Sequence, residues 1–305
     1  MNKAVRQTEI ISHLSASIDT WSDSEILARM LDGQRLAVAC VEAALPAIAE
    51  AAEAIAQRIR NGGKLYYAGA GSSIRIGVQD GTELPATYGI DEGQLGYLIA
   101  GGKEAMFDTL ADKEDSIEDG RAAGAICTQR DALIAIAASG RTPFTLAALE
   151  EAKANGAFTI AVINATDSAL GQKADVEVLL NSGAEVIAGS TRMAAGTAQK
   201  AALNFISSLV GIKLGAVHDG MMVAMMLGNE KLKDRAARIV DQITGSGLNA
   251  AREALAKTDQ IKPAVLLCAG ASSAAEATKL LNSNDGNLRR ALAQLSQTTK
   301  TKLQH

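Results

Sequence analysis

The hydrophobic positions along the chain show two textures. Up to about residue 60 they recur every three or four residues, as in "PAIAEAAEAIAQRIR", the period of a helix with one apolar face. From residue 65 short continuous apolar runs take over, at Leu65–Ala68, Tyr97–Ala100, Ala132–Ala137, Thr159–Ile163 and Val176–Leu180. Runs of that length bounded by polar turns read as buried strands, and stretches of helical length such as "PFTLAALEEAKANG" separate most of them. Strands alternating with helices predict an α/β protein, a parallel sheet covered by helices on both faces. After Thr191 the helical spacing returns in "TAQKAALNFISSLVGIKLG" and "NEKLKDRAARIVDQITG". The expected organisation is an N-terminal helical segment over 1–60, the α/β domain over 61–215, helices packing on the core over 216–248, and a small helical C-terminal domain over 249–305.

Local signals sharpen this outline. Ser22-Asp-Ser-Glu25 fits a capping box that opens a helix running into the low 40s. Pro46 suits the first turn of a second helix, which Asn61-Gly-Gly63 ends. Gly245 to Asn249, "GSGLN", marks a boundary, and Asn284-Asp-Gly286 a turn inside the C-terminal helical unit.

Composition narrows the function classes. Aromatic residues are only 3% of the chain, so alanine and the aliphatics carry the packing and favour closely approaching helices. The formal charge is −4, without long single-sign blocks, and residues 1–60 hold six Lys/Arg against eight Asp/Glu. Neither nucleic acid nor a membrane surface is therefore an expected partner. Three cysteines without C-x-x-C and three histidines, one of them the last residue, do not make a metal or redox site. The opening "MNKAVRQTEI" lacks an apolar signal core and no apolar run approaches a membrane span, so a cytoplasmic setting is expected.

The chemistry concentrates in two loops. "GAGSS" (69–73) and "SGRTP" (139–143) each follow a predicted strand and lead into a helical pattern. Glycine lets backbone N–H groups approach a ligand, the helix start adds partial positive charge, and the hydroxyls add donors. Singly, each is an ordinary strand–helix turn. Two in one sheet point to an anion site beyond the carboxyl ends of the strands. Gly69 and Gly71 begin a G-x-G-x-x-G pattern, but Ile74 occupies the third glycine position, and no G-x-x-x-x-G-K-[ST] occurs. A compact phosphomonoester suits such loops better than a pyrophosphate.

Five blocks then carry a family resemblance: "GAGSSIRIGVQDGTELPATYG", "KEDS" (113–116), "IAASGRTPF", "EVIAGSTRMAAGTAQK" and "GNEKLKDRAARIV". In this order the chain, from about Thr8 to its C-terminal helices, resembles the N-acetylmuramic acid 6-phosphate etherases, which are built on the sugar isomerase (SIS) fold and related to glucokinase regulatory protein. The resemblance implies cleavage of the D-lactyl ether of MurNAc 6-phosphate to GlcNAc 6-phosphate and D-lactate, in cell-wall recycling. It implies that Glu83 in "GTELP" protonates the departing oxygen and that Glu114 in "KEDS" moves the C2 proton. On its residues alone Glu114, among Asp112, Asp115, Glu118 and Asp119, reads as part of a solvated helix face, and Glu83 as a helix end.

By the same resemblance Gly71, Ser72, Ser73, Ser139, Gly140, Arg141 and Thr142 meet the sugar phosphate. Ser190 and Thr191 line the pocket, with the plainer alternative that Ser190 is only a helix N-cap. Asn229 and Lys231 reach the phosphate, although a surface lysine is the commoner fate. His218, in a loop, is structural rather than catalytic. Neither metal nor organic cofactor is expected, because the substrate's own carbonyl can accept electrons, and a homodimer is implied. Two other readings keep the same phosphate cradle: an aldose–ketose phosphosugar isomerase, and a non-catalytic sensor of phosphosugars. Three positions depart from the family's pattern. Ser72-Ser-Ile-Arg75 stands for T-S-G-R, which is expected to reshape the phosphate pocket; "STRMAAG" stands for "STRLKAG", removing a cation at Ala194; and "TELPATYG" stands for "SECPPTFG".

Overall fold

A computed structural model describes residues 10–108 and 111–302. Residues 1–9 and 303–305, at the ends of the first and last expected segments, lie outside the described residues. Helices α1 (Asp23–Ala39) and α2 (Leu45–Arg60) lead into strand β1 (Leu65–Gly69), α3 (Gly71–Tyr88), β2 (Leu95–Ile99), α4 (Ile117–Gly124), β3 (Ala132–Ala137), α5 (Pro143–Ala154), β4 (Phe158–Ile163), α6 (Ala169–Lys173) and β5 (Val176–Leu179). There follow α7 (Ala194–Lys213), β6 (Val217–His218), β7 (Met221–Met222), α8 (Glu230–Thr244), α9 (Leu248–Thr258), α10 (Ile261–Cys268), α11 (Ala274–Asn282) and α12 (Leu288–Lys302). The Ser22 capping box is present, with Ser22 accepting from the Glu25 N–H and Glu25 accepting from the Ser22 N–H. Pro46 lies in the first turn of α2.

The chain divides into two compact units. The first comprises Met1–Thr82 and Gly93–Leu209, the second Glu83–Glu92 and Val210–His305.

In the first unit β1 to β5 form a parallel sheet in the order β2-β1-β3-β4-β5. Strand β1 therefore has β2 on one side and β3 on the other, and the chain reverses its direction of winding there. In open sheets of this order the crevice for a ligand opens at that reversal. β1 and β3 are buried at every position, which is why they read as unbroken apolar runs.

Register explains how helices cover both faces. Tyr67, Ile134 and Ile160 stand side by side on one face, and α3 approaches it so closely that a Cβ on Gly77 would lie 2.7 Å from Ile136 Cδ1. On the opposite face Ala68, Leu133, Ala135, Ala161 and Ile163 pack with Ala148, Leu149 and Ala152 of α5. Small side chains on that face and on α5 let the helix sit close. Helix α4 then packs on α5 through Gly120 and Gly124, where a Cβ would meet the Phe144 and Ala148 carbonyl oxygens at 2.4 and 2.3 Å.

The part of α3 that belongs to the first unit is pinned within it by a buried carboxylate. Asp80 accepts from the Tyr67 hydroxyl at 2.8 Å, the Asn204 amide at 2.6 Å and the Ser207 hydroxyl at 2.8 Å. Burial pushes the Tyr67 phenol well above its ordinary pKa, and the Asp80 carboxylate does so further, so Tyr67 remains a donor.

In the second unit α8 to α12 enclose an aliphatic core that includes Ala236, Val240, Leu255, Ile261, Leu266 and Leu281. Helix α8 ends at Gly245 in the left-handed conformation (φ 66°), and the turn before α12 uses Asp285 and Gly286 with φ of 55° and 71°.

Candidate active site

The two glycine–hydroxyl loops leave neighbouring strands. β1 ends at Gly69, paired with Ile136 of β3, so the loop before α3 and the loop before α5 lie side by side at the carboxyl edge. Gly71 has φ +53°, a conformation that side chains resist, and it starts α3 directly after the strand. Ser72 is exposed and Ser73 half-buried in the first turn, where helix N–H groups lack intrahelical partners.

The second loop is built more tightly. Gly140 has φ +60°, and a Cβ there would lie 2.3 Å from Ser168 Cβ. Ser139 Oγ accepts from the Arg141 N–H at 3.3 Å, and the Arg141 guanidinium donates to the Asp167 carbonyl at 3.1 Å. Thr142 is the N-cap of α5, yet its hydroxyl makes no capping bond. That hydroxyl is available to a ligand.

Glu114 joins the loops. It lies in a one-turn 3-10 segment, Ala111–Asp115, and its Oε1 is 2.9 Å from where a Gly71 Cβ would be. A cavity of about 300 Å³ is lined by Glu114, Asp115, Ser139, Arg141, Thr142 and Pro143. Burial pushes the Glu114 carboxyl above its ordinary pKa, Asp115 adds to the rise, and Arg75 opposes it. Such a carboxyl can exchange a proton with a ligand held by the loops. Gly71, Glu114, Ser139, Arg141 and Thr142 are thus brought together, although Glu114 taken alone reads as a solvated position.

Arg75 also belongs to this corner of the fold. Its guanidinium donates to the Ala105 carbonyl at 3.0 Å and the Asp108 carbonyl at 3.4 Å, and its buried Nε has no partner among the described residues. It follows Gly71 by four positions on α3, the spacing that shares a helix face, and that spacing is the signal that could have singled it out.

Ser190 and Thr191 are half-buried in the turn before α7. Ser190 is not the cap: Glu185, 1% exposed, accepts from the Ala194 and Ala195 N–H groups at 2.9 Å each and so holds the first turn of α7. Nothing in the local pattern marks Glu185 for this, since it stands nine residues before its partner rather than three. Asn164, at the end of β4, donates to the carbonyls of Leu180 (3.0 Å) and Ala195 (3.4 Å) and accepts from Gln199 (2.9 Å), tying the same loop to the sheet.

The remaining expected residues belong to the second unit. Glu83 is exposed on α3, two residues before Pro85. Asn229 is the N-cap of α8, its side-chain oxygen accepting from the Leu232 N–H at 3.0 Å, and Lys231 is exposed in the first turn. His218 is not in an open loop but in β6, pairing antiparallel with Met221, and is 8% exposed. Burial lowers its pKa, with Asp219 partly restoring it, as suits a structural imidazole.

Two departures from the family pattern acquire a location. Ile74 is 1% exposed, and its Cβ lies 3.3 Å from where a Gly69 Cβ would be. It fills space beneath β1 and is not among the residues that line the cavity. Ala194 is 3% exposed, its N–H bound by Glu185. Among the described residues no group of three or more His, Cys, Asp or Glu could hold a metal ion, and no helix is long and apolar enough to cross a membrane.

Comparison with known proteins adds an independent line. Residues 114–207 match the SIS domain, and residues 47–153 match the glucokinase regulatory protein N-terminal SIS domain. Over 290 residues the chain is 42% identical to an N-acetylmuramic acid 6-phosphate etherase of Streptomyces avermitilis, covering 94% of this chain and 93% of the relative. It is 48% identical over 242 residues to one of Symbiobacterium thermophilum, covering 79% and 81%, and 37% identical over 295 residues to one of Salmonella typhi, covering 96% and 99%.

Proposed function

The chain belongs to the N-acetylmuramic acid 6-phosphate etherase family, and from that premise we propose that it is a carbon–oxygen lyase releasing D-lactate from N-acetylmuramic acid 6-phosphate. The observation that carries the reading is the Glu114 carboxyl standing against Gly71 in a cavity shared with Ser139, Arg141 and Thr142. A base is thereby held beside the loops that suit a phosphate.

In this mechanism the first turn of α3, with Ser72 and Ser73, and the loop Ser139–Thr142 hold the phosphate. Arg141 supplies positive charge at the cavity wall. Ring opening exposes an aldehyde at C1 and makes the C2 proton acidic. Glu114 takes that proton, and the electrons of the C2–H bond form a C2=C3 double bond as the C3–O bond breaks. Glu83 gives a proton to the departing oxygen, and D-lactate leaves. Water then adds its hydroxyl to C3 and a proton to C2, giving GlcNAc 6-phosphate. The conjugated carbonyl carries the charge of the intermediate, so this sequence needs only two carboxyl groups in opposite protonation states. Ser190 and Thr191 contribute to the sugar pocket, and Asn229 and Lys231 to the phosphate.

The enzyme acts as a homodimer in this proposal. Helix α1 supports it, since Leu27, Leu31 and Val38, which share one helix face, are 64%, 50% and 52% exposed, an apolar surface suited to a second copy.

Incubation with N-acetylmuramic acid 6-phosphate should release D-lactate, measured with a coupled dehydrogenase, and Glu83→Ala should abolish release. Unchanged turnover in Glu83→Ala would overturn the roles given to the two carboxylates.

A further inference from the structure

A larger cavity lies in the second unit, and none of the residues assigned above lines it. It has a volume of about 490 Å³, within the roughly 300–1,000 Å³ of small-molecule sites. Its floor is apolar: Val223, Met225, Ile261 and Leu281 are buried there. The rim is polar and exposed, with Asp259, Gln260, Thr278 and Asn282.

One cation stands between floor and rim. Lys262 is half-buried, and its ammonium donates to the Gly286 carbonyl at 2.8 Å, which leaves two of its three protons for other partners. No carboxylate among the described residues forms an ion pair with it, and burial lowers its pKa without an opposing charge. The residue also occupies the first turn of α10, where the helix adds partial positive charge. The side-chain amides of Gln260 and Asn282 make no hydrogen bond within the described residues. An uncompensated ammonium with free amide donors above an apolar floor matches a small anion with a carbon skeleton.

We infer that this cavity binds a small organic anion, a carboxylate or phosphate ester, gripped by Lys262, Gln260 and Asn282, and that its occupancy modulates the enzyme. The route to Glu83 is short and lies within the second unit. The cavity wall Val223–Leu227 is tied to the end of α3, because the Met226 N–H donates to the Ala86 carbonyl at 3.2 Å. The Ala224 carbonyl lies 2.7 Å from where a Gly89 Cβ would be. Ala86 follows Glu83 by three residues, so a ligand that stiffens this wall stiffens the turn carrying Glu83. The binding site stands on its own geometry; the effect on turnover rests on the etherase reading.

Lysine footprinting tests the site directly. The full chain is acylated with an N-hydroxysuccinimide acetate, with or without millimolar D-lactate, GlcNAc 6-phosphate or inorganic phosphate, and Lys262 is followed by mass spectrometry with exposed Lys257 as control. At least one organic anion should slow acylation of Lys262 several-fold without changing Lys257, and Asn282→Ala should remove that protection. Protection by D-lactate alone identifies a carboxylate site, and by GlcNAc 6-phosphate alone a phosphate-ester site. Protection by none of the three, by inorganic phosphate only, or protection that survives Asn282→Ala, overturns the site. Calorimetry on Lys262→Gln should show Kd for the protecting anion raised about ten- to a hundredfold, the loss of a charge-assisted hydrogen bond. That variant should keep basal lactate release and lose the anion's effect on it. Absence of lactate release in the unmodified chain would sink the etherase reading alone, whereas absence of protection would sink this site alone.

Discussion

A carboxylate oxygen of Glu114 stands 2.9 Å from the point that a side chain on Gly71 would occupy. The glycine serves two purposes there: it adopts φ +53°, and it leaves room for the Glu114 carboxylate. Gly71→Ala should therefore combine backbone strain of about 1–2 kcal/mol with displacement of Glu114. Lactate release should fall about ten- to a hundredfold, as expected for a catalytic group moved by a fraction of an ångström to one ångström. Steady-state kinetics beside a urea titration separate the two effects, and a loss of activity no larger than the loss of folded protein would contradict the contact.

In the proposed mechanism Glu114 should also set the acid side of the pH profile. A base must be unprotonated, so kcat/KM should rise with pH through the Glu114 pKa, which burial and Asp115 place above the ordinary glutamate value. Asp115→Asn should move that rise to lower pH by removing a negative neighbour. Replacing Arg75 with methionine should move it to higher pH, since Arg75 opposes the upward shift. Shifts in the opposite directions, read from the pH dependence of kcat/KM, would exclude Glu114 as the base.

The same shift has a stability sign. A carboxyl whose pKa is raised on folding binds its proton more tightly when folded, so its ionisation weakens the fold above that pKa and has no such effect below the unfolded value. Glu114→Gln should raise the Tm at neutral pH, and the gain should vanish as pH falls below the ordinary glutamate pKa. Calorimetric scans at the two pH values test this.

Gly140 tolerates no side chain. A Cβ would lie 2.3 Å from Ser168 Cβ and 2.5 Å from Ser168 Oγ, at φ +60°. Gly140→Ala should cost about 2–4 kcal/mol of stability, through overpacking and left-handed strain together, measured by chemical denaturation. Ser168→Ala should recover only part of that loss, because the methylene clash persists.

The buried Asp80 should behave as a cooperative unit with its three donors. Asp80→Ala strands the Tyr67 and Ser207 hydroxyls and the Asn204 amide, at a cost of about 3–5 kcal/mol. Tyr67→Phe removes a single donor and should cost about 1 kcal/mol. A double-mutant cycle between the two by urea denaturation should show coupling, and strict additivity would mean that the short contacts contribute nothing.

Much of this was legible in the chain. The apolar run Ala132–Ala137 and β3 coincide, and the other four runs locate strands to within two residues; in β1 and β3, buried at every position, there is no alternation to misread. The two loops were legible for a related reason: glycine is required where φ is positive or a backbone must pass close. The supporting carboxylates were not. Glu185 reaches N–H groups nine and ten residues on, and Asp80 reaches partners 13, 124 and 127 residues away. No local spacing encodes contacts of that range. A cap is the plainer alternative for Ser190, because a serine before a helical pattern usually is one, but the buried Glu185 takes the N–H groups first.

The placement of Ile74 bears on how variation in such loops is interpreted. Its buried side chain acts as a plug beside the last residue of a strand, where Gly69 contributes no side chain. Relatives that carry something smaller at this position must fill that void by other means, or tolerate it. Drift at residue 74 therefore records how helix and sheet share volume, and says little about which sugar the enzyme accepts.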